Sequence, residues 1–132
     1  MRKRLFARLL CAALCVLCLA GCAGESKTIL LNSVSKFFSN ETVLEATARE
    51  LEIEGRTATV RIHIMNLNND PLDSFGACVS FLDNAGNVLY IDEQEITLDT
   101  PLESYDSISI TAACNGKHVN KITSVSISGT EG

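Results

Sequence analysis

The sequence predicts an all-β fold, a single antiparallel β-sandwich of about seven strands. Phe75, Ala77, Val79 and Phe81 alternate with Gly76, Cys78, Ser80 and Leu82. That period of two sends alternate side chains to opposite faces of a sheet. Ala58, Val60, Ile62 and Ile64 alternate with Thr59, Arg61 and His63 in the same way. Clusters of Asn, Asp, Gly and Pro fall between such runs at near-regular spacing, and no stretch carries a convincing long helical stripe.

The first 21 residues stand apart from this pattern. Arg2, Lys3, Arg4 and Arg8 precede an apolar run from Leu9 to Ala20. A positive segment followed by a short apolar one is a secretory leader, and the run falls short of the about 20 apolar residues that a membrane helix needs. It ends in Leu19-Ala20-Gly21-Cys22. These four residues resemble the lipobox of bacterial lipoproteins. The resemblance implies cleavage before Cys22 by type II signal peptidase and a diacylglycerol thioether on Cys22, with membrane attachment through that lipid. On that reading residues 1–21 are the leader, 22–27 a lipidated tether and 28–132 the sandwich domain. The tether from Ala23 to Lys27 reaches at most about 18 Å, so the domain sits close to the membrane. Ala23 follows the lipid site where lipoprotein sorting would place an Asp for inner-membrane retention. Its identity permits transport to the outer membrane of a two-membrane cell, and in a one-membrane cell the protein occupies the outer leaflet.

The rest of the chain reads as strands and turns. Thr28 to Val34 is apolar and β-branched enough for a first strand. Residues 41–52 admit two readings: a strand from about Leu44 to Ile53, or a short helix over 41–48 with Val43, Leu44, Thr47, Ala48 and Leu51 as its stripe. Glu54-Gly55 is a turn signal, and the strand Thr57 to Met65 follows, so a hairpin is the preferred reading. Residues 66–73 form a loop by their Asn, Asp and Pro content. The strand from Phe75 then meets the turn Asp83-Asn84-Ala85-Gly86-Asn87. Val88 to Leu98 returns until Asp99 to Leu102 breaks it. Ser107, Ser109 and Thr111 alternate with Ile108, Ile110 and Ala112. Asn115-Gly116-Lys117 is a turn, and Val119 to Ile127 is the last strand. Seven short strands of this spacing indicate a sandwich of the immunoglobulin-like kind.

From Val60 to Ile127 the order of features resembles the bacterial FxLYD-type domain, an immunoglobulin-like module. RIHIMN, NNDPL, VSFLD, NAGNVL and SISIT stand in that order, although within the eponymous motif only Asp83 is identical. The resemblance implies an extracytoplasmic accessory or binding module with no agreed reaction, and fold alone assigns no function.

Charge and cysteine use suit an exported protein. The whole chain has a formal charge of −5. Without residues 1–21 it carries 7 basic and 16 acidic side chains, a formal charge of −9. Nucleic acids and anionic lipid surfaces demand clustered Lys and Arg, so both are excluded as partners. Cys11, Cys15 and Cys18 leave with the leader, and Cys78 and Cys114 remain in the domain. Two arrangements fit this pair. One is a disulfide worth roughly 3–4 kcal/mol outside the cytoplasm; the other is two buried free thiols, because the two residues fall in opposite phase relative to their apolar neighbours.

The sequence points to no enzyme, metal or cofactor. His63 and His118 lie far apart, and a zinc site needs three or four converging ligands. Asn66, Asn68, Asp70 and Asp73, and the residues from Asp83 to Asn87, have the oxygens of a calcium loop but read as turn chemistry. Asp92, Glu93 and Glu95 lie on a strand and read as a solvated face. Ser33-Val34-Ser35-Lys36 has the letters S-x-x-K without its partner motifs. Two functions remain. One is a binding or adaptor module for an envelope protein or glycan, where acidic charge implies a basic partner patch. The other is a structural or assembly subunit of a larger envelope complex, which would bury an apolar face permanently. The outward positions Thr59, Arg61, His63, Ser107, Ser109 and Ser126 are polar and favour the first.

Overall fold

The computed structural model describes residues 26–130. The expected leader, the expected lipid site Cys22 and most of the expected tether lie outside the described residues. Seven strands occur, β1 Ser26–Ser39, β2 Thr42–Glu54, β3 Thr57–Asn66, β4 Leu72–Leu82, β5 Val88–Leu102, β6 Ser107–Asn115 and β7 Ser124–Ser128. One sheet has the order β1-β2-β3-β6 and the other β5-β4-β7, with antiparallel pairing throughout. The all-β sandwich read from the sequence is therefore the fold. The pairs β3–β6 and β4–β7 correspond to the B–E and C–F pairs at the centre of an immunoglobulin sandwich. In that frame β2 takes the place of strand A, β5 lies beside strand C, and β1 is an additional strand outside A.

Of residues 41–52, all but the turn residue Glu41 are strand. Leu44, Ala46 and Ala48 face the core with period two, and so do Leu51 and Ile53. Between them Arg49 and Glu50 oppose the single residue Arg61, a bulge in the β2–β3 ladder. The inserted residue changes the apolar spacing from two to three. That phase jump is what imitates a helical stripe. The turn after β2 uses Gly55 at φ 62°, a left-handed conformation that costs glycine nothing.

Four boundaries differ from the sequence expectation, the first being β4, which begins at Leu72 inside the expected loop 66–73. β1 runs from Ser26 to Ser39, through a second bulge at Leu31-Asn32 where Asn32 takes φ 51°. Its later half is polar enough to read as loop, yet it pairs with β2 along its length. β5 continues through Pro101 to Leu102, which pairs with Leu72. Proline is tolerated because β5 is an edge strand, where one side needs no N–H donor. At the C-terminal end the expected strand from Val119 is replaced by a 3-10 turn, Val119–Lys121, before β7. Val119 and Ile122 are both buried at a spacing of three, which a strand would send to opposite faces and a tight turn does not.

The core lies between the sheets. Leu44, Leu51, Ile53, Val60, Ile62 and Ile64 from the first sheet meet Phe75, Val79 and Phe81 from the second. Each such side chain contributes on the order of 1.5–3 kcal/mol by leaving water. The one end of the sandwich that carries the β3–β4 loop is tied by a fully buried amide, Asn66. Its Nδ2 donates to the carbonyls of Asp70 and Leu102, both at 2.9 Å, and its Oδ1 accepts from the Asn68 backbone at 2.8 Å.

Both domain cysteines are free thiols in this structure. Cys114 faces the core from β6, with Ile110 and Ala112. Cys78 lies between the inward Ala77 and Val79 and so points to the outer face of the other sheet. Side chains that diverge across a sheet cannot close a bridge. Burial pushes the Cys114 thiol up to about 11. Thiol labelling of the folded protein at neutral pH should therefore modify Cys78 first and Cys114 only on unfolding. Two thiols labelled at one rate would contradict these placements.

Candidate functional site

An edge strand presents unpaired N–H and C=O groups, and proteins guard such edges against unwanted pairing. The edges here are β1 and β6 in one sheet and β5 and β7 in the other. Three have visible guards. Along β6, Gln94 Nε2 donates to the Thr111 carbonyl at 2.8 Å, and the Ala113 N–H donates to Asp92 Oδ2 at 3.0 Å. Beyond the strand end, the His118 N–H donates to the Tyr90 hydroxyl at 2.9 Å. Tyr90, Asp92 and Gln94 are alternate residues of β5, so one row of side chains covers the β6 edge. β5 itself carries exposed Glu93, Glu95 and Asp99 and ends near Pro101. β7 is only 5 residues long and carries Ser124, Ser126 and Ser128.

β1 is different. It is 14 residues long, and its outward row is Thr28, Leu30, Asn32, Val34, Lys36 and Phe38. Leu30, Val34 and Phe38 are 74%, 63% and 69% exposed. Across the ladder they face Glu50, Thr47 and Val43 on β2, which cover little of them. β1 contains Lys27 and Lys36 but no carboxylate. Lys27 Nζ reaches the Asn120 carbonyl at 3.4 Å, which pins the start of β1 to the 3-10 turn. Although β1 carries a bulge and two lysines, its exposed apolar row Leu30, Val34 and Phe38 is the surface of this sandwich most suited to association. The outward polarity read from Thr59, Arg61, His63, Ser107 and Ser109 describes β3 and β6, at the far side of the sheet, and misses this margin. The sequence placed a first strand over Thr28 to Val34 but neither its extension to Phe38 nor which side faced water.

The other residues singled out from sequence do not converge. His63 Nδ1 and Ser109 Oγ lie 3.0 Å apart on neighbouring strands. A nucleophile–base pair needs a third group to orient the imidazole and donors for an oxyanion. The flat outer face of the sheet brings no carboxylate into hydrogen bond with His63 among the described residues. Asp92 is spent on the β6 edge, while Glu93 and Glu95 point outward. Ser33 faces inward and Lys36 outward. Asn66 and Asn68 spend their side chains on backbone groups and on each other. Asp83 accepts the N–H groups of Ala85 and Asn87, both at 2.9 Å, and the Asn87 side-chain amide at 3.2 Å. The hydrogen bonds from Asn87, then Ala85, hold its carboxyl below the usual value of 3.8. Its oxygens close their own turn. No group of three or more His, Cys, Asp or Glu is placed to hold a metal among the described residues.

No family model matches the sequence, and no curated protein does, so the FxLYD-type resemblance rests on the residues quoted for it alone. Two solved structures are similar. The trimeric lipoprotein SadB of Salmonella enterica superimposes with a TM-score of 0.52 at 10% identity, covering 97% of this chain and 76% of that one. A lipoprotein of Escherichia coli, YajI, gives a TM-score of 0.48 at 16% identity, over 82% of this chain and 68% of that one. The likeness to SadB is one of fold. No helix among the described residues is long and apolar enough to cross a membrane.

Proposed function

We propose that this chain is an extracytoplasmic lipoprotein, anchored by acyl chains on Cys22, whose sandwich binds another envelope component and performs no reaction of its own. The observation that carries the reading is the exposed row Leu30, Val34 and Phe38 on the edge strand β1. The leader with its Leu19-Ala20-Gly21-Cys22 motif supports the anchor, and a fold shared with the lipoprotein SadB is consistent with it. Two or more acyl chains hold a protein stably, which one does not.

The apolar row also favours one form of this function. Lasting interfaces are more apolar than transient ones. The row therefore supports an assembly subunit of an envelope complex over a transient binder that uses only its acidic surface. SadB is itself described as trimeric. The test is a photoreactive benzoylphenylalanine at Phe38 in intact cells, followed by identification of what is attached. A protein adduct retained at high salt is expected. Absence of any protein adduct would remove the protein-binding reading and turn the search to glycans.

A further inference from the structure

We infer that the end of the sandwich where β1 begins rests on anionic phospholipid headgroups and holds the domain upright on its membrane; this deepens the proposed function and rests on its acylated Cys22. Scattered along the sequence, Lys and Arg argue against an anionic lipid surface, but the fold gathers them. Ser26, where β1 begins, pairs with Glu54 at the end of β2. Glu54 pairs with Thr57, and Thr57 with Asn115 at the end of β6. The Gly116 N–H donates to the Arg56 carbonyl at 2.8 Å, and Lys27 Nζ reaches the Asn120 carbonyl at 3.4 Å. The start of β1, the β2–β3 turn and the segment after β6 therefore form one end of the domain. Lys27, Arg56, Lys117 and Lys121 are all exposed there. They are four of the seven Lys and Arg that follow Cys22. Among the described residues, the carboxylates at this end are Glu52, Glu54 and Asp83, and Asp83 is occupied by its own turn. The four cations outnumber them, although the chain as a whole is strongly negative.

The opposite end has the opposite charge. β1 ends at Ser39, which pairs with Thr42 at the start of β2, and Asn66 at the end of β3 bonds Asp70 and Leu102. That end exposes Glu41, Asp70, Asp73, Glu103 and Asp106, and residues 38–44, 66–73 and 100–106 contain no Lys or Arg. The flanks offer no basic surface either. Lys36 faces Glu45 across the β1–β2 ladder, and Arg61 opposes the bulge Arg49-Glu50. Glu93 and Glu95 lie exposed on β5 in the smaller sheet. An anionic membrane attracts Lys and Arg held within a Debye length of it, about 8 Å in physiological salt, and repels carboxylates over the same range. Four residue steps separate Cys22 from Ser26, a reach of at most about 14 Å. The lipid on Cys22 thus keeps the basic end beside the headgroups at high effective concentration, where a few cations suffice. With that end down and the acidic end up, β1 rises away from the bilayer. Leu30, Val34 and Phe38 then stand in a row above the membrane, open to a partner anchored beside it.

The experiment reconstitutes the full lipidated chain in vesicles, with a photoreactive benzoylphenylalanine at Asn115 or at Asp106. One set of vesicles is phosphatidylcholine alone, and the other is equal parts phosphatidylcholine and phosphatidylglycerol. Phospholipid adducts are quantified by mass spectrometry. Asn115 should give at least about fivefold more adduct on the anionic vesicles, the factor that one cation contributes at such a surface. Asp106 should give none on either. Lys117→Glu with Lys121→Glu should remove the difference at Asn115, and Lys117→Arg with Lys121→Arg should keep it. Both lysines are exposed, and an unchanged thermal midpoint verifies that the variants fold. Equal yields at Asn115 on the two vesicles, a difference that survives the charge reversal, or adducts at Asp106 would overturn the inference and leave the anchored lipoprotein standing. An N-terminal peptide whose mass shows no acyl group on Cys22 would remove both.

Discussion

Phe81→Ala should destabilise the domain by about 3–5 kcal/mol, the range for removing a fully buried aromatic ring. Phe81 is 0% exposed. It stands in the middle strand of the smaller sheet, between Tyr90 on β5 and Val125 on β7. Its ring meets the core from a position with neighbours on both sides, so the cavity left behind cannot collapse without moving two strands. Domains of this size have only about 5–15 kcal/mol in total. The loss is therefore a large part of the whole, and at the low end of that range the protein would unfold. Urea denaturation checks it, by a fall in midpoint at constant slope. Leu30→Ala, on the outward row of β1, should change stability by no more than about 0.5 kcal/mol in the isolated chain. A small effect at Phe81 together with a large one at Leu30 would mean that the faces are assigned the wrong way round.

Asn66→Ala should cost about 2–4 kcal/mol, from carbonyls and an amide left unpaired where water cannot reach easily. The Asn66 side chain is the junction of three segments. It donates to Asp70 in the β3–β4 loop and to Leu102 at the end of β5, and it accepts from both the backbone N–H and the side-chain amide of Asn68. Asn68 in turn holds Val43 through a backbone N–H and a carbonyl, each at 3.0 Å. The Asn66 backbone adds bonds to Asp106 and Tyr105. Asn66→Asp is the informative partner variant. It keeps the shape and the acceptor but removes the two N–H donors and sets a carboxylate against two carbonyl oxygens. It should be at least as destabilising as Asn66→Ala at neutral pH, and the deficit should shrink in acid, where the protonated carboxyl can donate once. Chemical denaturation across pH measures this. Equal stability of Asn66→Asp and the parent protein at neutral pH would refute the donor assignment.

Much of the fold was legible in the letters because a two-sided sheet writes itself as alternation. Ala58 to Ile64 and Phe75 to Phe81 carry that alternation without interruption, and both are strands at the predicted places. Reading was left ambiguous, or failed, where a local device broke the period. The bulge at Arg49-Glu50 gave β2 a helical look, and the 3-10 turn at Val119–Lys121 gave the last strand a false start. The opposite phases of Cys78 and Cys114 anticipated that the two side chains face different sides, since phase is a property of the strand itself. Asn66 was visible as a turn residue, but its role depends on Leu102, which lies 36 residues away.

The sequence by itself determined the strand content, the inward faces of the central strands and the acidic charge. These follow from local composition and from a period of two. Only the tertiary structure decided which strands are edges, that the side chains of Tyr90, Asp92 and Gln94 seal the β6 edge, and that Leu30, Val34 and Phe38 are left in water. An edge is defined by the strand that does not pair there, and pairing between distant segments is set by the packing of both sheets. No window of residues along β1 contains that information.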